Sequence, residues 1–187
     1  MTVTEGALRR GLAGDLDRHF PALVNEMQGL VYNGARRWLH KRQDAEDVTQ
    51  EAFVRAYRAL QGYSPEQIAD LRLRSWLFTI TLNLCRNHAR TRSRRPQQVA
   101  LESTGDLPGR VVVEEEAVGA VTIDEWRDRL SVLPARQRDA VVLRHVVGLS
   151  YAEIGDVLSC PAGTAKSDVS RGLGRLRVLL ESEDLND

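Results

Sequence analysis

The stretch Ser150-Tyr-Ala-Glu-Ile-Gly-Asp-Val-Leu-Ser-Cys-Pro-Ala-Gly-Thr-Ala-Lys-Ser167 decides how the rest of the chain is read. Ser150 and Glu153 stand at the spacing of a capping box, in which a hydroxyl and a carboxylate each satisfy an amide left without a partner at the helix start. A short helix over 151–158 follows. Ser159-Cys160-Pro161 breaks it, because proline has no amide hydrogen to continue the helical ladder. A final, longer helix then runs to about Leu180. Short helix, tight turn, longer helix is the pattern of a helix-turn-helix, whose second helix enters the major groove with its early residues toward the bases.

That second helix opens Gly163-Thr-Ala-Lys-Ser167 and continues through Ser170, Arg171, Arg175 and Arg177. Ala165, Val169 and Leu173 recur at helical spacing and form the expected inward stripe. Thr164, Lys166, Ser167, Ser170 and Arg171 fall largely off it, and hydroxyls and cations are the groups that reach base edges and phosphates. A plain amphipathic helix with a solvated charged face has the same period.

Working outward, Ile123, Trp126 and Leu130 mark another helix, closed by Pro134. The next begins there, since proline suits a first helical turn, and ends at Gly148. From Pro96 to about Val118 no helical period is sustained, and Pro96, Gly105, Pro108, Gly109 and the run Glu114–Glu116 interrupt the chain. A connection of that length is longer than compact domains usually hold. Upstream of it three helices are expected. The first runs from about Pro21 to His40, with Leu23, Met27, Leu30, Val31, Ala35 and Leu39 on one face. The second opens with Asp44 as its N-cap and buries Val48, Ala52, Phe53, Ala56, Tyr57 and Leu60, stopping at Gly62. After a loop from Tyr63 to about Leu71, the third spans Arg72 to Arg94 and buries Trp76, Leu77, Ile80, Leu84 and Cys85. The expected fold is all-α, two small helical domains joined by a flexible linker, the second containing the helix-turn-helix. Residues 1–19 form an N-terminal segment expected to be mobile, 20–95 the first domain, 96–118 the acidic linker, 119–182 the second domain and 183–187 a tail.

Charge follows this division. The 187 residues carry a net charge of zero, but 20–96 carry +6, 97–118 carry −4 and 119–180 carry +2. Two basic modules around an acidic connector suit two contacts with a polyanion. No apolar run approaches a membrane span and the first residues lack a signal peptide's apolar stretch, so a cytoplasmic protein is expected, with no membrane insertion. Cys85 and Cys160 stand alone, and His19, His40, His88 and His145 are scattered. No cluster has metal-ligand spacing, so neither metal nor cofactor is expected.

Two further clusters carry charge. Arg86, Arg90, Arg92, Arg94 and Arg95 end the third helix with no acid among them, beside Asn83 and Asn87. Arginine suits bidentate phosphate geometry, although cations also complement a helix C-terminus without binding anything. Asp44, Glu46, Asp47 and Glu51, with Gln50 and Arg55 at neighbouring positions, form an acidic patch at a helix start. No histidine, glycine-rich loop or activated nucleophile accompanies it, so capping and a protein-binding face are the economical readings, and catalysis is not expected.

In this order the pieces resemble the sigma factors of bacterial RNA polymerase, in the minimal extracytoplasmic-function group. Asp44-Ala-Glu-Asp-Val-Thr-Gln-Glu-Ala-Phe53 resembles that family's polymerase-binding helix, and Ser75-Trp-Leu-Phe-Thr-Ile-Thr-Leu-Asn83 its promoter-melting helix. Leu133-Pro134, Gly148 to Ile154 and Cys160 to Ser167 resemble its −35-reading domain. The resemblance implies that Asp44, Asp47, Gln50, Glu51 and Arg55 grip the clamp helices of the largest polymerase subunit. Tyr63 to Arg74 would accept a flipped-out base of the −10 element, with Trp76, Asn83, Arg86 and Arg90 along the melted strand. Pro161, Gly163, Thr164, Lys166, Ser167, Ser170 and Arg171 would read and anchor the −35 element. Implied partners are core RNA polymerase (clamp helices and flap), promoter DNA and an anti-sigma factor.

The chain departs from the family pattern in several places. Asp168 stands where arginine is frequent, which implies a lost phosphate contact. Ser159 stands where the turn often has glycine; left-handed backbone there costs a serine about 1 kcal/mol. The loop before Trp76 is longer than usual, and Leu73 replaces a frequent aromatic. A free-standing helix-turn-helix regulator would use the same second domain without needing the acidic helix or the arginine cluster. An enzyme acting on nucleic acid would need a metal or nucleophile constellation that the sequence lacks.

Overall fold

The computed structural model describes residues 5–94 and 122–184, and every element among them is a helix. In chain order these are α1 (Glu5–Gly14), α2 (Leu16–Trp38), α3 (Arg42–Gln61), α4 (Pro65–Asp70), α5 (Leu73–Arg94), α6 (Ile123–Ser131), α7 (Ala135–His145), α8 (Tyr151–Leu158) and α9 (Ala162–Asp184). The expected linker, 96–118, lies outside the described residues.

The starts of the helices follow their caps, and four differ from the sequence reading. Residues 5–14, expected to be mobile, form α1, because Leu8 and Leu12 sit one turn apart and both are buried. The next helix begins at Leu16 and not at Pro21, since the Asp15 side chain accepts the Arg18 amide at 3.0 Å. Asp44 is not the cap of α3: that position belongs to Lys41, and Asp44 lies in the first turn, where its charge still complements the helix dipole. The expected loop from Tyr63 to Leu71 contains α4. Ser64 caps it reciprocally with Gln67, at 2.8 and 3.3 Å, and Pro65 occupies the first position.

In the first unit α2, α3 and α5 pack around Leu23, Val31, Ala52, Ala56, Leu77 and Phe78. Helix α1 lies across α2 and α4. In the second unit α9 packs on α7 and α8. Gly172 permits this closeness, because a Cβ there would lie 2.6 Å from Val141 Cγ2. The two units also touch: α6 packs on α2, and α8 on α5. Their apolar residues form one continuous cluster, from Leu8 to Val169, and Trp38 bridges it to a smaller one of Leu130, Leu133, Val141, Val142 and Leu176. At the junction Arg36, only 4% exposed, donates to Asp124 at 2.8 Å, and Arg127 donates to the His40 carbonyl at 2.9 Å.

Candidate nucleic-acid and protein interfaces

The capping box at Ser150 is formed: its amide donates to Glu153 Oε2 at 2.8 Å, and its Oγ accepts the Glu153 amide at 3.3 Å. Helix α8 ends at Ser159, whose backbone is left-handed (φ 52°, ψ 54°). This reverses the chain so that the Cys160 amide donates to the Gly155 carbonyl at 2.9 Å. The turn is tight enough that a Cβ on Gly155 would stand 2.5 Å from the Cys160 carbonyl oxygen. Pro161 then accepts the Thr164 and Ala165 amides and starts α9.

Along α9, Gly163, Lys166, Ser167, Ser170 and Arg171 are exposed on one side, and Thr164 is half-buried at their edge; Pro161, also exposed, precedes the helix. The sequence-assigned residues therefore share one surface. The inward stripe differs from the expected one at its end. Leu173 is 41% exposed, and Leu176 takes the buried place after Ala165, Val169 and Gly172. Helical spacing permits either residue, and the close α7 neighbour at Gly172 selects the second.

Asp168 belongs to neither the exposed surface nor a gap in it. Its side chain is 8% exposed and accepts from Arg136 Nε on α7 at 2.7 Å. The hydrogen bond to Asp168 raises the Arg136 pKa above its ordinary value. A second tie between the same helices joins Arg175 to Gln137 at 2.9 Å. The aspartate thus ties α9 to α7, a role sequence spacing did not suggest.

In the first unit, α3 exposes Asp47, Gln50, Val54, Arg55 and Arg58 along one side, with half-buried Glu51 among them. Glu51 accepts from Arg55 at 2.7 Å. Asp44 lies one turn before this stripe, half-buried and 3.6 Å from the His88 ring of α5. Phe20, Phe53, Val54, Tyr57 and Arg58 line a shallow apolar recess beside the stripe. Tyr57 donates to Asp17, which raises the phenol's pKa. Val54, Arg58 and the recess were not singled out in the sequence, although i, i+4 spacing from Gln50 places the first two on the stripe.

The third surface is built on α4 and α5. Trp76 Nε1 donates to Tyr63 Oη at 3.3 Å, with ring centroids 6.1 Å apart, so the two aromatics form one unit at the loop. Asn83, Arg86, Asn87 and Arg90 are exposed in a row along α5; the side chains of Arg92, Arg94 and Arg95 lie outside the described residues. Arg74 and Arg86 face the second unit. Arg74 donates to the Val147 carbonyl, Arg72 pairs with Asp156 at 2.9 Å and Arg86 with Asp139 at 2.7 Å. Burial raises the Asp139 carboxyl pKa, and the opposing pull of Arg86 and Arg138 does not cancel it. Burial also pushes the neighbouring Cys85 thiol up to about 12. Both cysteines are free.

A helix-turn-helix with an exposed polar reading face, joined to a unit with an arginine-lined helix, defines a two-part all-helical DNA-binding protein. The family Sigma-70 region 2 matches residues 23–95, and Sigma-70, region 4 matches residues 123–176. The chain belongs to the sigma-70 family of RNA polymerase sigma factors, in its extracytoplasmic-function group. It is 34% identical over 167 residues to the RNA polymerase sigma-H factor of Pseudomonas aeruginosa, covering 82% of each chain. To the ECF RNA polymerase sigma factor SigW of Bacillus subtilis it is 30% identical over 177 residues, covering 89% of this chain and 91% of the other. Among solved structures, the sigma factor RpoE in complex with the anti-sigma factor NepR from Bartonella quintana aligns with a TM-score of 0.68 at 27% identity, over 87% of this chain and 96% of that one. Among the described residues no helix is long and apolar enough to cross a membrane.

Proposed function

We infer that the chain is the promoter-specificity subunit of a bacterial RNA polymerase, acting in the cytoplasm by binding alone, with no covalent step of its own. The observation that carries the reading is the exposed face of α9, Gly163, Lys166, Ser167, Ser170 and Arg171, presented by a complete helix-turn-helix. Pro161, Thr164 and this face read the −35 element, with residues 119–182 as their domain. Residues 20–95 form the other domain. Its α3 stripe, Asp47, Gln50, Glu51 and Arg55, engages the polymerase clamp helices, with Asp44 at its start. Tyr63, Arg74 and Trp76 receive an unstacked base of the −10 element, while Asn83, Arg86 and Arg90 follow the strand. A base held this way favours the melted state by differential affinity, because the same contacts are absent in duplex DNA. Residues 96–118 connect the domains.

Arg74 and Arg86 are committed to the second unit in this structure, so the two units part when promoter DNA is engaged. An anti-sigma factor, the kind of partner found with the Bartonella relative, acts on such a chain by covering the polymerase- and DNA-binding faces. A free-standing regulator would need none of the α3 stripe.

The test uses two variants. Asp47→Lys with Glu51→Lys abolishes association with core polymerase while both units stay folded. Lys166→Ala with Arg171→Ala spares that association and weakens −35-dependent transcription, reducing the salt dependence of promoter binding by about two phosphate contacts. Retained polymerase binding in the first variant refutes the α3 face, and unchanged −35 use in the second refutes the α9 face.

A further inference from the structure

The break between α4 and α5, residues 71 and 72, joins the two parts of the proposed base-receiving loop, and it is held from outside the loop by α1. Glu5 Oε1 accepts the Leu73 backbone amide at 3.0 Å, which caps the first turn of α5. Arg9 Nη1 donates to the Leu71 carbonyl at 3.3 Å, satisfying the residue that ends α4. One turn of α1 thus supplies an acceptor to the amide on one side of the break and a donor to the carbonyl on the other. Both groups belong to helix ends, which leave backbone amides and carbonyls without intrahelical partners. Between and beyond the two ties, Leu8 and Leu12 are buried, and Ile68 of α4 is buried in the same cluster. The Arg9 side chain is part-buried, and its Nε has no hydrogen-bond partner among the described residues.

We propose that Glu5 and Arg9 are positioning residues for −10 recognition: α1 clamps the α4–α5 break and so fixes where Tyr63, Arg74 and Trp76 stand. This rests on the assignment of that loop to the −10 element. Arg74 is one residue beyond the amide that Glu5 caps, and Trp76 follows within the same helical turn. Releasing the cap frees the first turn of α5 to fray and lets the Trp76–Tyr63 pair drift from the base-receiving geometry. Neither Glu5 nor Arg9 is assigned any contact with DNA or polymerase, so their effect is confined to selection at the −10 element.

The experiment compares wild type, Glu5→Ala/Arg9→Ala and the conservative Glu5→Gln/Arg9→Lys, each as the full chain with core polymerase. Glutamine still offers an acceptor to the Leu73 amide, and lysine still offers a donor to the Leu71 carbonyl. The probe is a pool of promoters randomised over the −10 region with a fixed −35 region, scored by sequencing the transcripts. The alanine variant is expected to lose roughly tenfold in discrimination between the best and worst base at the captured position, about 1.4 kcal/mol. Its polymerase affinity and −35 dependence stay unchanged, and the conservative variant behaves as wild type. Hydrogen exchange gives a second reading independent of activity: the Leu73 amide loses protection in the alanine variant while the amides of α2 and α3 keep theirs. An unaltered −10 profile in the alanine variant overturns the proposal. So does a uniform loss of polymerase binding, −35 use and −10 selection together, which makes α1 a stability element only. If wild type itself gives no polymerase-dependent transcripts, the promoter-specificity reading fails, and the hydrogen-exchange result still reports on the clamp.

Discussion

Arg86 on α5 donates to Asp139 on α7 across the junction of the two units, at 2.7 Å. The Asp139 side chain is 3% exposed, and its carboxyl pKa is raised because burial outweighs the attraction of the arginine. An ion pair whose desolvation exceeds its attraction orients its partners more than it holds them together. A phosphate, which matches the guanidinium fork and leaves it in solvent, can therefore compete for Arg86. Parting of the two units, as proposed for promoter engagement, would release Arg86 from this pair and return Asp139 to water.

If separation is required, locking the junction stops function. Arg36→Cys and Asp124→Cys, in a Cys160→Ser background, place two thiols where an ion pair now spans α2 and α6. Joined through disulfides by a bis-thiosulfonate linker of roughly the arginine's span, which loses a sulfinate at each end, the chain is expected to open no promoter with core polymerase, and to recover when a reductant cleaves the linker. Equal transcription before and after cleavage contradicts the need for separation. Cys85 does not compete for the linker, being buried with its thiol pushed up to about 12.

Ser159 is the one non-glycine residue with positive φ among the described residues. Ser159→Gly removes the Cβ from a left-handed position and is expected to stabilise the second unit by about 1 kcal/mol, offset in part by the added freedom of the unfolded chain. Denaturant unfolding with unchanged slope measures it. Gly155→Ala has the opposite sign, since its Cβ meets the Cys160 carbonyl at 2.5 Å.

Asp168→Asn is expected to lower the melting temperature of the second unit by weakening its bond to Arg136. The −35 sequence preference is retained, because the residue faces α7 and not the exposed side of α9. A changed base preference without loss of stability would place Asp168 at the DNA.

Cys85 gives a pH dependence with a definite sign. Its thiol is raised in the folded state to about 12, so the unfolded chain loses the proton first. Stability is therefore fully present below the unfolded thiol pKa, roughly 8.5, and is lost as pH rises from there toward the folded value. Cys85→Ala removes that slope in urea titrations between pH 8 and pH 10, whatever it does to absolute stability. An identical slope in the variant contradicts the assignment.

The helices of both units were legible because their apolar residues recur at helical spacing and because Ser150 and Glu153 announce a start. The exposed faces of α3 and α9 followed from the same period. What the sequence did not disclose lies in the caps and in contacts between distant segments. Ser64-Pro65-Glu66-Gln67 carries a capping box, yet its single turn buries only Ile68 and so shows no period. Helix α1 buries two leucines, too few to stand out until α4 is placed against them. The role of Asp168 depends on Arg136, and that of Arg86 on Asp139, 53 residues away. No local pattern encodes such a pairing.

The most direct test of the function is whether the purified chain comigrates with bacterial core RNA polymerase on a sizing column, and whether the complex transcribes a promoter that core alone ignores. A stable, transcribing complex is expected, lost on Asp47→Lys with Glu51→Lys. A well-folded chain, free of any inhibitor, that fails to associate with core polymerase would contradict the assignment of its function.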